Sequence, residues 1–337
     1  MNSFSADLPS TATTSMPAIF IPFKRGGVIA ITERGVYISK MFAIFKPSDL
    51  LTFAFLALFS VLAVISAPSN SSWIKSIVEY AALAAMILMA AAYRTNVAPA
   101  KRGFHVSILA TVVAVLVIFN SLGSLIAGIH PATCDARLIA IDQAIFGVHP
   151  TVWLERFISP FLTSMLQLTY ASYYFIPVSL GVVLIFRGRY REFEKVLFGI
   201  LLCFYLSYVG YLLFPAIGPR FTLSHLQTME LQVSPFIRTI QEALDALEKN
   251  KTDAFPSGHT AISLVSLYYA WKEREKILFM VLSPLVAGLI ISTVYLRYHY
   301  VIDVIAGTVL VGLILAIAPG LHRLLSAMTG HPQDEKT

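Results

Sequence analysis

Residues 106–129 read VSILATVVAVLVIFNSLGSLIAGI, a stretch with no charged side chain. At 1.5 Å per residue, a helix of that length crosses a hydrocarbon core of about 30 Å. Leu50–Ala67 and Leu197–Ile217 are equally free of charge. The whole chain follows suit: 13% of its 337 residues are charged and 57% hydrophobic, with a mean hydropathy of +0.73. A soluble domain carries about a quarter charged residues, so these values exclude a water-facing globule. The expected fold class is all-α, a polytopic membrane helical bundle.

The formal net charge is +6, but the basic residues cluster in short loops between apolar runs, as the positive-inside rule requires. No basic run interleaved with aromatics suggests a nucleic-acid partner. Cys134 and Cys203 have no metal or redox spacing. One lies in a loop and the other mid-span, so no disulfide is expected between them. The Ser/Thr/Ala/Pro-rich start, through about residue 17, does not read as a cleavable signal peptide.

Eight transmembrane helices are expected, at about 48–67, 74–93, 104–129, 160–186, 195–215, 257–272, 277–297 and 299–320. Residues 1–46 read as a cytoplasmic leader, disordered at first, with Gly27–Phe45 suited to lie on the membrane surface. Residues 47–129 form the N-terminal helices, 130–320 the catalytic membrane domain and 321–337 a cytoplasmic tail. Pro131–Phe157 carries Asp135, Arg137, Asp142, Glu155 and Arg156, and reads as interfacial helix. With eight spans, the clusters at Lys24–Lys46, Arg94–Arg102, Arg187–Lys195 and Lys272–Lys276 share one side, which is expected to be cytoplasmic. Both termini are then cytoplasmic. Residues 68–73, 130–159, 216–256 and the turn 297–299 face the other way.

Three stretches at that far side carry chemistry: Phe214-Pro-Ala-Ile-Gly-Pro-Arg220, Ala254-Phe-Pro-Ser-Gly-His-Thr260 and Tyr295-Leu-Arg-Tyr-His-Tyr-Val-Ile-Asp303. His299 and Asp303 stand four apart and share a helix face. A carboxylate on one imidazole nitrogen sets the tautomer and leaves the other nitrogen as nucleophile or base. His259 opens a helix just after Ser257 and Gly258, where backbone N–H groups favour an anion and glycine permits close approach. Arg220 and Arg297 suit phosphate oxygens, which guanidinium can grip with two bonds. Together these residues make a phosphoryl-transfer set that calls for no metal and no cofactor.

Blander readings compete. A lone histidine near a helix end is usually structural or solvated, which covers His105, His130, His149, His225, His322 and His331. A His–Asp pair can be a satisfied polar pair, yet ionisable groups near spans are costly and default to function. Phe204, Tyr205, Tyr208 and Tyr211 read as packing or an interfacial belt. Asp253 reads equally well as a solvated loop charge and is left outside the candidate set.

At these residues the chain resembles the type 2 phosphatidic acid phosphatase (PAP2) superfamily. That family's pattern is Lys-x6-Arg-Pro, Pro-Ser-Gly-His and Ser-Arg-x5-His-x3-Asp. Pro256–His259 matches the second element in full, and His299 with Asp303 matches the core of the third. Leu213 stands where the family has Lys, Phe221 where it has Pro, and Thr293 where it has Arg after Ser292; Arg297 lies one helical turn on. The motif details, together with Asp142, Phe146, Gly147, Pro150, Trp153 and Leu154, look like the inositol phosphorylceramide synthase branch. The resemblance implies a PAP2-like core with His299 as nucleophile forming a phosphohistidine, Asp303 orienting it and His259 as acid and base. Arg220, Ser257, Gly258 and Arg297 would hold the phosphate. Its substrate would be a phospholipid or polyprenyl phosphate drawn from the membrane lipids, attacked at the extracytoplasmic face (of the inner membrane, in a bacterium). Inositolphosphotransferase-like head-group transfer leads, lipid phosphate hydrolysis is the alternative, and a non-catalytic lipid-binding or transport protein or a channel ranks below both.

Overall fold

The computed structural model describes residues 21–23, 27–29, 42–96, 100–247 and 250–329. The apolar runs fold as helices: α1 (Pro47–Ser66), α2 (Trp73–Asn96), α3 (Ala100–Ile129), α6 (Pro160–Ala171), α7 (Phe175–Phe186), α8 (Tyr190–Leu213), α12 (Lys276–Tyr295) and α13 (Val301–Thr329). Between them lie the shorter α4 (Asp135–Phe146), α5 (Pro150–Trp153), α9 (Pro219–Thr222), α10 (Pro235–Leu247) and α11 (Gly258–Lys272). Pro47, Pro150, Pro160 and Pro219 open α1, α5, α6 and α9, where a missing N–H costs nothing. Strands Ile21–Phe23 and Gly27–Ile29 pair antiparallel; this small hairpin leaves the class all-α. The rest of the expected leader up to residue 41, and the tail beyond Thr329, lie outside the described residues.

Among the described residues, seven helices are long and apolar enough to cross a membrane, with α6 and α7 counting as one. The chain therefore reads as an integral membrane protein. The difference from the expected eight lies at 257–272. That span folds as α11, whose 15 residues extend only about 22 Å. It packs against α7, α8, α12 and α13, and Ala261, Val265 and Ala270 are wholly buried. A short helix enclosed by long ones needs no lipid-facing length of its own. Of the two readings for the aromatic series of α8, packing holds for Tyr205, Tyr208 and Tyr211, which are buried: the Tyr205 hydroxyl donates to Thr52 Oγ1 at 3.0 Å, and that of Tyr208 to the Val115 carbonyl at 3.2 Å.

Side-chain pairs identify the two ends of the bundle. At one end Lys46 pairs with Glu194, Arg94 with Asp49, Arg187 with Glu275, and Arg189 with both Glu273 and Glu275. These ties gather the starts of α1, α8 and α12 and the ends of α2, α7 and α11. The other end gathers the starts of α6, α11 and α13 with the ends of α8 and α12. There Thr163 meets Tyr295 at 2.9 Å, and the Ser257 N–H donates to the Asp303 carbonyl at 3.0 Å. All three chemistry-bearing stretches lie at this second end. Pro131–Phe157, expected as interfacial helix, folds there as α4, α5 and a 3-10 turn at Leu154–Phe157.

Candidate active site

Helix α11 begins at the site. Its N-cap is Ser257, whose hydroxyl accepts from the Thr260 N–H at 3.3 Å, satisfying one of the donors that a helix start leaves open. A Cβ on Gly258 would collide with the Tyr211 hydroxyl, and one on Gly307 would lie 2.5 Å from the Ser257 carbonyl oxygen. The two glycines thus let α8 and α13 close on the start of α11. His259, in the first turn, is stacked on Tyr170 with centroids 4.8 Å apart, and Tyr173 lies 4.4 Å away on a tilted plane. The helix carrying these tyrosines narrows to a 3-10 turn at Ser172–Tyr174.

His299 follows the turn that ends α12. The N–H groups of Tyr298 and His299 both donate to the Thr293 carbonyl, at 2.9 and 3.0 Å, so the threonine at the family's arginine position shapes the turn through its backbone. The imidazole is buried. Its Nδ1 lies 2.7 Å from the Ala254 carbonyl oxygen and 3.4 Å from Asp303 Oδ2. A carbonyl can only accept, so Nδ1 carries the proton and Nε2 presents a lone pair. That Nε2 lies 3.4 Å from Nδ1 of His259. The sequence assigns the orienting role to Asp303; the structure adds the Ala254 carbonyl as the shorter of two acceptors. Asp303 Oδ2 also accepts from the Tyr300 N–H at 2.8 Å.

Arg297 has φ +68, a left-handed conformation that ordinary residues seldom hold. Its side chain explains why it is held: Nη2 donates to Glu155 Oε1 at 2.8 Å and to the Met229 carbonyl at 2.6 Å, while Nη1 reaches Gln227 Oε1 at 3.2 Å. Burial pushes its pKa down, and the Glu155 charge pushes it back up. The Nε is buried and has no hydrogen-bond partner among the described residues. Arg220 stands beside it, its N–H donating to the Arg297 carbonyl at 2.8 Å and its guanidinium 5.7 Å from the Tyr298 ring.

Three acids of the segment 135–157 fasten these loops. Asp135 accepts from the N–H groups of Ile217 and Gly218, at 3.0 and 2.9 Å, and from the Tyr300 hydroxyl at 2.8 Å. Gly218 has φ +86, and a Cβ there would lie 2.5 Å from the Tyr298 carbonyl oxygen. Glu155 takes Arg297 together with the Thr228 N–H and hydroxyl. Asp142 accepts from the N–H groups of Val301 and Ile302, both at 2.9 Å, and so caps α13 from another element. Burial raises the Asp142 carboxyl pKa, while those two backbone donors draw it down. Asp142→Ala is expected to cost about 1–2 kcal/mol, the usual value of a lost cap. Asp142→Asn, which keeps one acceptor oxygen, should lose less. Thermal unfolding in detergent reads both.

A cleft of about 50 Å³ is lined by His259, His299, Arg220, Arg297, Tyr170 and Tyr298, and by Asn250, Lys251 and Asp253 on the loop before α11. A single water needs about 10–15 Å³ on this scale, so the cleft has room for a few oxygen-sized groups, the scale of one phosphoryl. The structure thus brings His259, His299, Arg220 and Arg297 to one cavity, with Asp303 behind His299; Ser257 and Gly258, at the start of α11, are buried and do not line it. Sequence reading missed Tyr170, Tyr173, the Ala254 carbonyl, Asn250 and Lys251, and set Asp253 aside. Only the position of residues 250–253 just before Pro-Ser-Gly-His hinted at that loop.

A family model described as PAP2 superfamily matches residues 136–317, more than half of the chain. A PA-phosphatase related-family protein of Dictyostelium discoideum is 25% identical over 224 residues, covering 56% of this chain and 40% of that protein. The aligned region therefore spans less than half the length of that curated relative. No solved structure matches the chain.

Proposed function

Because the chain belongs to the PAP2 superfamily, we propose that it is a membrane phosphotransferase or phosphatase acting on a lipid-linked phosphate through His299. The observation that carries this reading is the pairing at the cleft: His299 Nδ1 donates to the Ala254 carbonyl and its Nε2 lone pair faces His259. Nε2 attacks phosphorus, the bond from phosphorus to the leaving oxygen breaks, and protonated His259 gives its proton to that oxygen. Neutral His259 then takes the proton of the incoming hydroxyl as it attacks the phosphohistidine, releasing His299. Asp303 stabilises the charge that develops on His299. Arg220 and the Nε of Arg297 hold the phosphoryl oxygens, whereas the Ser257 N–H is committed to the Asp303 carbonyl. Phosphoryl transfer depends mainly on such positioning and electrostatics.

The attacking hydroxyl decides the product. Resemblance to the inositol phosphorylceramide synthase branch favours a lipid alcohol and head-group transfer. The relative's description as a PA-phosphatase related-family protein favours water and hydrolysis as the second reading. The ion-paired end carries Lys46, Arg94, Arg187 and Arg189, which by the positive-inside rule makes it cytoplasmic. The cleft then opens on the extracytoplasmic side.

The test offers purified protein in detergent a panel of phosphatidate, isoprenoid diphosphate, and phosphatidylinositol with ceramide or diacylglycerol. A new phospholipid without free phosphate supports transfer, and released phosphate supports hydrolysis. Activity should persist in EDTA; its complete loss there, restored by a divalent metal, would overturn the metal-independent mechanism.

A further inference from the structure

The loop before α11 carries donors that the mechanism above does not use. Asn250 is 4% exposed and packs at Gly123 of α3. Its Oδ1 accepts from the Thr252 N–H at 3.1 Å and the Thr252 hydroxyl at 2.8 Å. Those two bonds settle which end of the amide is which. Asn250 lines the cleft, and its buried Nδ2 group has no hydrogen-bond partner among the described residues. A buried donor left in that condition costs about 1–3 kcal/mol, and an oxygen arriving in the cleft would relieve it. Next to it stands Lys251, exposed at the rim of the same cleft.

Charge bookkeeping points the same way. The cleft is lined by three cations, Arg220, Lys251 and Arg297, and one acid, Asp253. Glu155 sits directly on Arg297, and Asp303 sits behind His299. Among the described residues, counting Arg297 against Glu155, one further cation against Asp253, and the protonated His259 of the proposed mechanism against Asp303 leaves a single positive charge. Without Lys251 that surplus is zero. A phosphate monoester carries about −1.5 to −2 at neutral pH, so a cleft without surplus charge would desolvate an anion with little return.

We propose that Asn250 and Lys251 form an anion subsite that binds the non-bridging oxygens of the substrate's phosphate, a proposal that rests on the phosphoryl-transfer reading above. The Asn250 amide supplies a fixed, desolvated donor. Lys251 supplies the charge at the rim, where an incoming lipid phosphate first meets the protein. Arg297 is then chiefly a positioning residue for the turn that carries His299.

Kinetics and thermal unfolding of the purified full chain, with orthophosphate as probe, test this. Lys251→Ala is expected to raise KM for the lipid phosphate and the inhibition constant of orthophosphate about tenfold each, the scale of one charged hydrogen bond. Lys251→Arg should recover most of both. Asn250→Asp keeps the acceptor that Thr252 needs but replaces the donor. It should weaken orthophosphate inhibition by at least about tenfold, and, because the new carboxylate is buried, lower the unfolding temperature as well. Orthophosphate should also raise the unfolding temperature of the wild type, and less in each variant. Unchanged KM and phosphate inhibition in Lys251→Ala would remove Lys251 from the subsite, and the same result in Asn250→Asp would remove Asn250. His299→Ala is run beside them. Should it stay active, the nucleophile assignment fails, while the phosphate-dependent unfolding shift still judges the subsite.

Discussion

Replacing His299 with alanine is expected to lower turnover of a lipid phosphate on the order of 10⁴-fold or more, the scale on which nucleophile deletions act. Folding should survive, because the change deprives the Ala254 carbonyl, Asp303 and His259 of one partner each, a loss of about 1–3 kcal/mol. Asp303→Asn should cost less activity, since the shorter Nδ1 bond, to Ala254 at 2.7 Å, remains to set the tautomer. Single-turnover assays with radiolabelled phosphate read the effect directly, because wild type should trap label on the protein and His299→Ala should not. Label trapped equally by both would sink the His299 assignment.

The second large effect concerns stability. Glu155→Ala removes the one carboxylate that pairs with Arg297 among the described residues; the arginine is 7% exposed and held at φ +68. Deleting one partner of a buried ion pair costs about 3–5 kcal/mol, because the other charge stays buried. A fall of roughly 5–15 °C in unfolding temperature follows from the usual scaling for domains of this size. Activity should fall with it, since the same turn carries His299. The double change Glu155→Leu with Arg297→Met should recover much of the lost stability without restoring full activity. An unaltered unfolding temperature in the single variant would mean that the pair contributes nothing.

The membrane class and the three-stretch site were legible in the sequence for a physical reason. Charge-free runs longer than the bilayer is thick admit one interpretation, and alternating spans must return every second loop to the same side. That arithmetic alone put Arg220, His259 and His299 at one end, and the structure gathers them in one cleft. The eighth stretch, 257–272, folds as α11, which runs from the cleft end to the ion-paired end; at 15 residues it falls short of the length that the seven counted helices share. Asp135, Asp142 and Glu155 were visible as charges in an interfacial segment, but their partners were not. Their contacts join positions 73 to 165 apart in the chain, a separation that no periodicity encodes. Asn250 was invisible for a similar reason. A polar residue in a polar loop carries no sign that its amide is buried until the chain end of α3 is laid against it.

Those three carboxylates have a mechanical consequence. Each grips a different loop of the cleft: the 217–218 turn, the 301–302 helix start, and the arginine at 297 with Thr228. Three anchors along one stretch of chain tie three loops to a common frame. The segment from Asp135 to Phe157 is thus a jig against which the reacting groups are aligned.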